Sequence, residues 1–511
     1  MSMQAIKDVK LNVRPIYIDM SHLYVYEGPC RFGKGEELTY EFDRAMNEEN
    51  NKRFLQDIRD HAPEWMNVLE PVYVYRNDDW RIPEEMIQTM AKGYDETDFY
   101  IFADGARCGD VILEFIRRYP KACACLSDCR GNTIINAALL SHGCEIYPIT
   151  EGWPELTRIL TAVRVRKMLR EMRVLSTYRF NASQSMPSAP DSFNDLNRVT
   201  DLFGVRFRYL NLHELMDMLH VGPNDQNPST PGRARLNLTE EDMAEIGRMA
   251  DAFIAGAKDN VLPREEVINT FKMVKVIRKN MEDEDCNAFV APCPDACSTR
   301  RLNEERCTMC LSHSLNNEMG LPSACEYDIT ALICMAILMG VSGKAPYMSN
   351  TIRCKTDEEG MFPACPFLTK EDLASVAGRD DLLLTYHSVP NRKLHGFDSE
   401  ASEYGIQPFA YSGWAATLRY DFTQDKGQYV TQCRIDPNCK KMMITRGVVE
   451  TGFGYDKANC TLGLIFSVKD PDALVRTQQG FGLHMPLVLG DYVEELKTVA
   501  DIFGLETVVC L

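Results

Sequence analysis

Glu326 and Asp328 stand at the mouth of "SACEYDITALICMAILMGVSG", and from Ile329 to Val341 no charged residue follows. Charges beside so apolar a run are costly unless they are paired or bind a metal. Two histidines have similar settings: His387 closes the apolar "LLLTYHSVP", and His484 lies in "GFGLHMPLVLGD". Neutral imidazole suits divalent transition metals, and a carboxylate from Glu326 would complete a mixed nitrogen and oxygen ligand set. Taken singly, each histidine reads as a satisfied structural residue, because periodicity cannot show that positions 326, 387 and 484 meet.

The densest cysteine patch, "CNAFVAPCPDACSTRRLNEERCTMC", carries a CxxxC (Cys293, Cys297) and a CxxC (Cys307, Cys310). Such a patch can hold zinc or an iron–sulfur cluster, although its spacing fits no standard cluster. The chain's 19 cysteines are otherwise scattered through segments such as "KACACLSDC". They read as reduced core thiols, not as a disulfide framework. Glycine signals are weak. "GPCRFGKGEE" holds Arg31 and Lys34 but ends in no Gly-Lys-Ser/Thr and is no P-loop. "FADGARCGD" ends a strand, where an α/β sheet keeps its binding crevice.

The elements that must position these residues fall into three segments. In the first, the strands "RPIYIDMSHLYVY", "LEPVYVYR", "TDFYIFADG", "KACACLSD" and "CEIYPIT" alternate with helices, which predicts βαβ units and a parallel, doubly wound sheet. The long helix "EGWPELTRILTAVRVRKMLREMR" leaves this segment, and the polar "NASQSMPSAPDSFND" marks a boundary or exposed loop. A second α/β pattern follows, with Thr239 and Asp242 expected to cap a helix. After about Asn350 shorter β-rich runs such as "AATLRYDF" and "CTLGLIFSV" predict an antiparallel domain. The expected boundaries are 1–175, 176–350 and 351–511, with Glu326 on the second domain and His387 and His484 on the third.

A net charge of −18 and a pI near 5.1 argue against binding a nucleic-acid backbone or an anionic membrane. No apolar run is long enough to span a bilayer and the N-terminus lacks a secretory h-region, so the chain reads as cytoplasmic.

From "NAFVAPCPDACSTRRLNEERCTMCLSHSLNNEMGLPSACEYD" onward the chain resembles the L-fucose isomerase / L-arabinose isomerase superfamily. "ACEYDITALICMAILMGVSGKAPYMSN" is similar to the segment whose Glu-x-Asp opens a helix and binds metal through the Glu. "LLLTYHSVP" and "RTQQGFGLHMPLVLGD" are similar to the segments that supply histidine ligands. The resemblance is strongest over 286–511; the N-terminal half shares only the alternating α/β pattern. It implies two Rossmann-like α/β domains followed by a C-terminal β-rich, antiparallel barrel-like domain. It also implies a homo-oligomer, such as a hexamer, whose active site is completed by a neighbouring subunit.

The implied activity is aldose–ketose isomerisation through an ene-diolate, with Mn²⁺ (or Co²⁺ or Mg²⁺) held by Glu326, His387 and His484. Glu326 is the implied proton shuttle and Asp328 its supporting or catalytic partner. One position departs from the pattern. Where the related enzymes carry a second carboxylate, this chain reads "APYMSNT", with Ser349 and Asn350; an Asn oxygen can coordinate a metal but cannot act as a base. Asp328, Glu450 or a metal-bound hydroxide is left for that role. The implied substrate is a pentose or deoxyhexose, or an anionic hexose such as a sulfonated one if Arg31 and Lys34 bind it. The other readings are a non-catalytic sugar-binding regulator and a cysteine-ligated metal or redox protein.

Overall fold

The computed structural model describes residues 3–20, 39–76, 81–103, 108–126, 130–178, 190–193, 195–222, 236–355 and 368–511. The chain is mixed α/β, with parallel sheets and a curled, largely antiparallel C-terminal sheet. It divides into two compact units, Val9–Arg164 and a larger one of Met1–Asp8 with Val165–Leu511. The segments expected as separate second and third domains thus lie in one compact unit.

In the smaller unit, Leu11–Met20 (β1) pairs with Met66–Val68 (β2), Val72–Arg76 (β3) and Phe99–Phe102 (β4), and β4 pairs with Ala122–Cys125 (β5), all in parallel. The β4 and β5 strands are buried at every position, as parallel strands covered on both faces must be. The helix Gly109–Arg118 buries Val111, Ile112, Phe115 and Ile116, one stripe at helical spacing. "CEIYPIT" forms no strand; Ile146 makes a lone bridge to Cys123. Pro148 lacks the N–H that a continued ladder would need.

In the larger unit, Arg173–Tyr178 (β6) pairs in parallel with Arg206–Asn211 (β7) on one side. On its other side β6 pairs with Ala288–Val290 (β9), which pairs in turn with Ser323–Ala324 (β10). Asp259–Asn260 (β8) joins a separate three-stranded sheet with Gly405–Ala410 (β13) and Trp414–Arg419 (β14). The C-terminal sheet runs Asn350–Arg353 (β11), Leu382–His387 (β12), Leu462–Ser467 (β17), Lys441–Phe453 (β16), Tyr429–Ile435 (β15) and Leu487–Leu489 (β18), in that spatial order. Glu506–Cys510 (β19) adds to β16 in parallel. Thr239 and Asp242 form a complete capping box on the helix Glu240–Gly256. Among the described residues no helix is long and apolar enough to cross a membrane.

The helix Ile329–Ser342 anchors this unit. Every residue from Ile329 to Gly340 is buried, and the helix stops at Gly343, which takes the left-handed conformation at φ 65°. A rod fixed this firmly holds its N-terminus in one place.

Candidate metal centre

That N-terminus carries the two carboxylates. Glu326 and Tyr327 both adopt left-handed backbone, φ 58° and 56°. For non-glycine residues this costs about 1–3 kcal/mol each, and such strain persists only where surrounding contacts enforce it. Here Tyr327 N–H donates to Ala291 O at 2.8 Å, and its phenol oxygen accepts from Ser176 Oγ at 2.7 Å. Asp328 then caps the helix, accepting from Ala331 N–H at 2.9 Å. The turn presents Glu326 outward, its side chain 30% exposed, while Asp328 is fully buried.

Glu326 lies between the two histidines. Its Oε1 is 3.7 Å from His387 Nε2 and its Oε2 is 3.6 Å from His484 Nε2. His387 is the last residue of β12, in the interior of the C-terminal sheet. His484 precedes β18, on a segment bridged to Asn350. Asn350 also faces Tyr386 across the β11–β12 pair, next to His387. Sheet register therefore gathers three residues far apart in the chain.

His484 Nδ1 donates to Asp328 Oδ2 at 2.8 Å, leaving Nε2 directed to Glu326. The same carboxylate oxygen accepts from Arg434 Nη1 at 2.6 Å. Arg434, fully buried on β15, also donates to the carbonyls of His484, Phe481 and Asp191. Gly482 makes room for this network: a Cβ there would stand 2.5 Å from Arg434 Nη2 and 2.4 Å from Asp191 Oδ2, and its φ is +131°.

Burial opposes the charge on Glu326, but both imidazoles outweigh it and hold the carboxyl well below its usual range. Burial likewise opposes Asp328 ionisation and is outweighed by Arg434, His484 and the Ala331 amide. His484 also resists charging through burial, yet Asp328 and Glu326 push it up to about 9. His387 goes the other way, lowered by burial despite Glu326. Its Nδ1 accepts from the Ser388 amide at 2.9 Å; for Nε2 to bind a cation, the ring proton must move to Nδ1 and this hydrogen bond must be given up.

The donor atoms fit a divalent cation on two counts. Asn350 Oδ1, His387 Nε2 and His484 Nε2 are buried without a hydrogen-bond partner, an arrangement proteins avoid unless something else satisfies it. Ligand atoms sharing one ion stand about 3–4 Å apart, as each Glu326 oxygen does from the imidazole nitrogen it faces; the ligand atoms of Cys325, Glu326 and His387 also all lie within 4.8 Å of one another. Asp328, engaged by three donors, orients His484 and has no free role in proton transfer. Glu450 is bound to Arg379 and Ser467, and both oxygens are thereby occupied. Arg31 and Lys34 lie outside the described residues.

The described cysteines are all free. Beside Glu326, Cys293, Cys297, Cys310, Cys325 and Cys460 wall a largely apolar cavity. Cys307 is buried elsewhere, so the CxxC does not act as a unit. Cys293 is held well below the usual thiol range, first by the Cys325 thiol and then by His313. Sequence reasoning did not single out Arg434, His313, Cys325 or Cys460. Cys325 had a signal, its place beside Glu326; an arginine within "GQYVTQCRID" had none. The chain matches no protein-family model, and comparison with curated proteins also gives no match.

Proposed function

We propose that this chain is a divalent-metal-dependent aldose–ketose isomerase of the fucose and arabinose isomerase kind, with two Rossmann-like regions ahead of a barrel-like C-terminal sheet. The observation that carries the reading is Glu326 between His387 and His484, with three buried donor atoms otherwise unpartnered. Glu326, His387, His484 and the Asn350 oxygen would hold the ion, Mn²⁺ in the first instance. When bound, it supplies Lewis acidity toward the O1 and O2 oxygens of an open-chain aldose.

The protein's own groups do the rest. Glu326, ionised and partly exposed, accepts the C2 proton at a carboxylate oxygen and returns it to C1, while the O2 hydroxyl proton passes to the neighbouring O1, so that the ene-diol collapses to the C2 ketone. Asp328 and Arg434 fix the ring of His484. Asn350 contributes an oxygen but no base, so a single carboxylate carries proton transfer. The cavity beside Glu326 has thiol and apolar walls and supplies few partners for sugar hydroxyls. An oligomer in which a neighbouring subunit completes the substrate site is part of the same proposal.

The test is metal analysis of His387→Ala and His484→Ala after reconstitution with Mn²⁺. Both should fold and lose most of the bound metal. Wild-type occupancy in both variants would remove the site.

A further inference from the structure

Behind Glu326 lies a second set of donors with different chemistry. The ligand atoms of Cys293, His313 and Cys325 all lie within 4.8 Å of one another. Cys293 Sγ is 3.6 Å from His313 Nε2. In a tetrahedral zinc site with ordinary Zn–S and Zn–N bonds, sulfur and nitrogen stand about 3.6 Å apart. His313 is fully buried, with Nδ1 2.8 Å from Ser323 Oγ. With Nδ1–H donated to that hydroxyl, Nε2 presents its lone pair to the thiols, the usual support for a metal-binding imidazole. Cys293 is partly exposed and, with Cys325, lines the cavity, so an ion has a route in.

We propose that Cys293, His313 and Cys325 form a second, thiophilic metal site that takes Zn²⁺, with its fourth position open to the cavity. Two thiolates and one imidazole make a soft set that Mn²⁺ does not favour, so the two centres select different ions. Binding displaces the thiol protons to solvent, and zinc keeps its oxidation state throughout. The site does not depend on the isomerase reading. It draws on His313 and Cys325, not on the CxxC at Cys307 and Cys310.

The test is titration of the reduced full-length protein with Co²⁺ as a spectroscopic stand-in, followed by Zn²⁺ displacement. A near-ultraviolet thiolate-to-cobalt charge-transfer band should appear and be bleached by one equivalent of Zn²⁺. It should be lost in Cys293→Ser and kept in Cys297→Ser, which lines the same cavity, and in His387→Ala. Ser323→Ala should weaken Zn²⁺ binding by about 10–100-fold, the usual cost of removing an outer-shell partner. X-ray absorption of the zinc form should show two sulfur neighbours. A sulfur-free zinc shell, no thiolate band, or a band undiminished in folded Cys293→Ser would overturn the proposal. So would loss of the band in His387→Ala, which would place the ion among Cys325, Glu326 and His387 instead.

Discussion

Glu326 draws its character from the two imidazoles beside it, and they differ. His484 is pushed up to about 9 by Asp328 and Glu326, while burial lowers His387. A metal at His484 Nε2 must displace that proton, so metal and proton compete. Below about pH 9, apparent Mn²⁺ affinity should rise by about tenfold per pH unit, one proton leaving per ion bound. Isothermal titration in buffers of different ionisation heat would count that proton. In the metal-free protein the sign reverses. An imidazole raised above its usual 6.5 contributes stability below that pH, and this is lost as pH rises through 9. Asn350 gives a second prediction. With +2 on the ion and −1 on Glu326 the centre carries a charge of about +1, which favours anionic substrates. Asn350→Asp should hold Mn²⁺ more tightly and shift preference toward neutral sugars. An unchanged affinity and preference, measured by equilibrium dialysis and competition kinetics, would put Asn350 outside the ligand set. Glu326, His387 and His484 stood out as a set only through the resemblance of their segments to the isomerase superfamily; their own patterning left each histidine a structural residue. Arg434 did not stand out, because a buried arginine on a strand looks like any solvent-facing one until its partners are known.

At the level of elements, the site is a helix N-terminus beside the start of β11 and the end of β12 in the C-terminal sheet. The helix Ile329–Ser342 was plain from its unbroken apolar run; its stop at the left-handed Gly343 came only with the structure. Most long strands were equally plain. The short ones, β10, β11 and β18, were not, since two to four residues carry too little pattern. Yet β11 and the bridge to His484 bring Asn350 into place. Gly482 tests how far the loop geometry matters. Gly482→Ala would drive a methyl group into Arg434 and Asp191 at a φ that alanine rarely adopts. It should cost about 1–3 kcal/mol in stability and reduce Mn²⁺ retention, both readable by denaturant melts with and without metal. Gly480→Ala, with only Thr477 O at 3.6 Å, is the control and should do neither.

Across the whole molecule, the α/β alternation and the β-rich C-terminal third were legible, but the grouping of segments was not. β13 leaves the C-terminal sheet to pair with β8, a two-residue strand far earlier in the chain, and no local pattern encodes that contact. Because the centre ties β12, the His484 segment and the Glu326 turn together, metal should stabilise the larger unit. At 100 times its dissociation constant, Mn²⁺ should add about 2.7 kcal/mol to stability, and a chelator should remove it. Isomerase activity is tested most directly by a screen for ketose formation. The Mn²⁺-reconstituted protein would be incubated with neutral pentoses, deoxyhexoses and anionic hexoses, beside Glu326→Gln and a chelated sample. At least one aldose should yield its ketose, and Glu326→Gln and chelation should both abolish the product. Sugar binding with no ketose from any of these aldoses, by folded and metal-loaded protein, would contradict the isomerase reading.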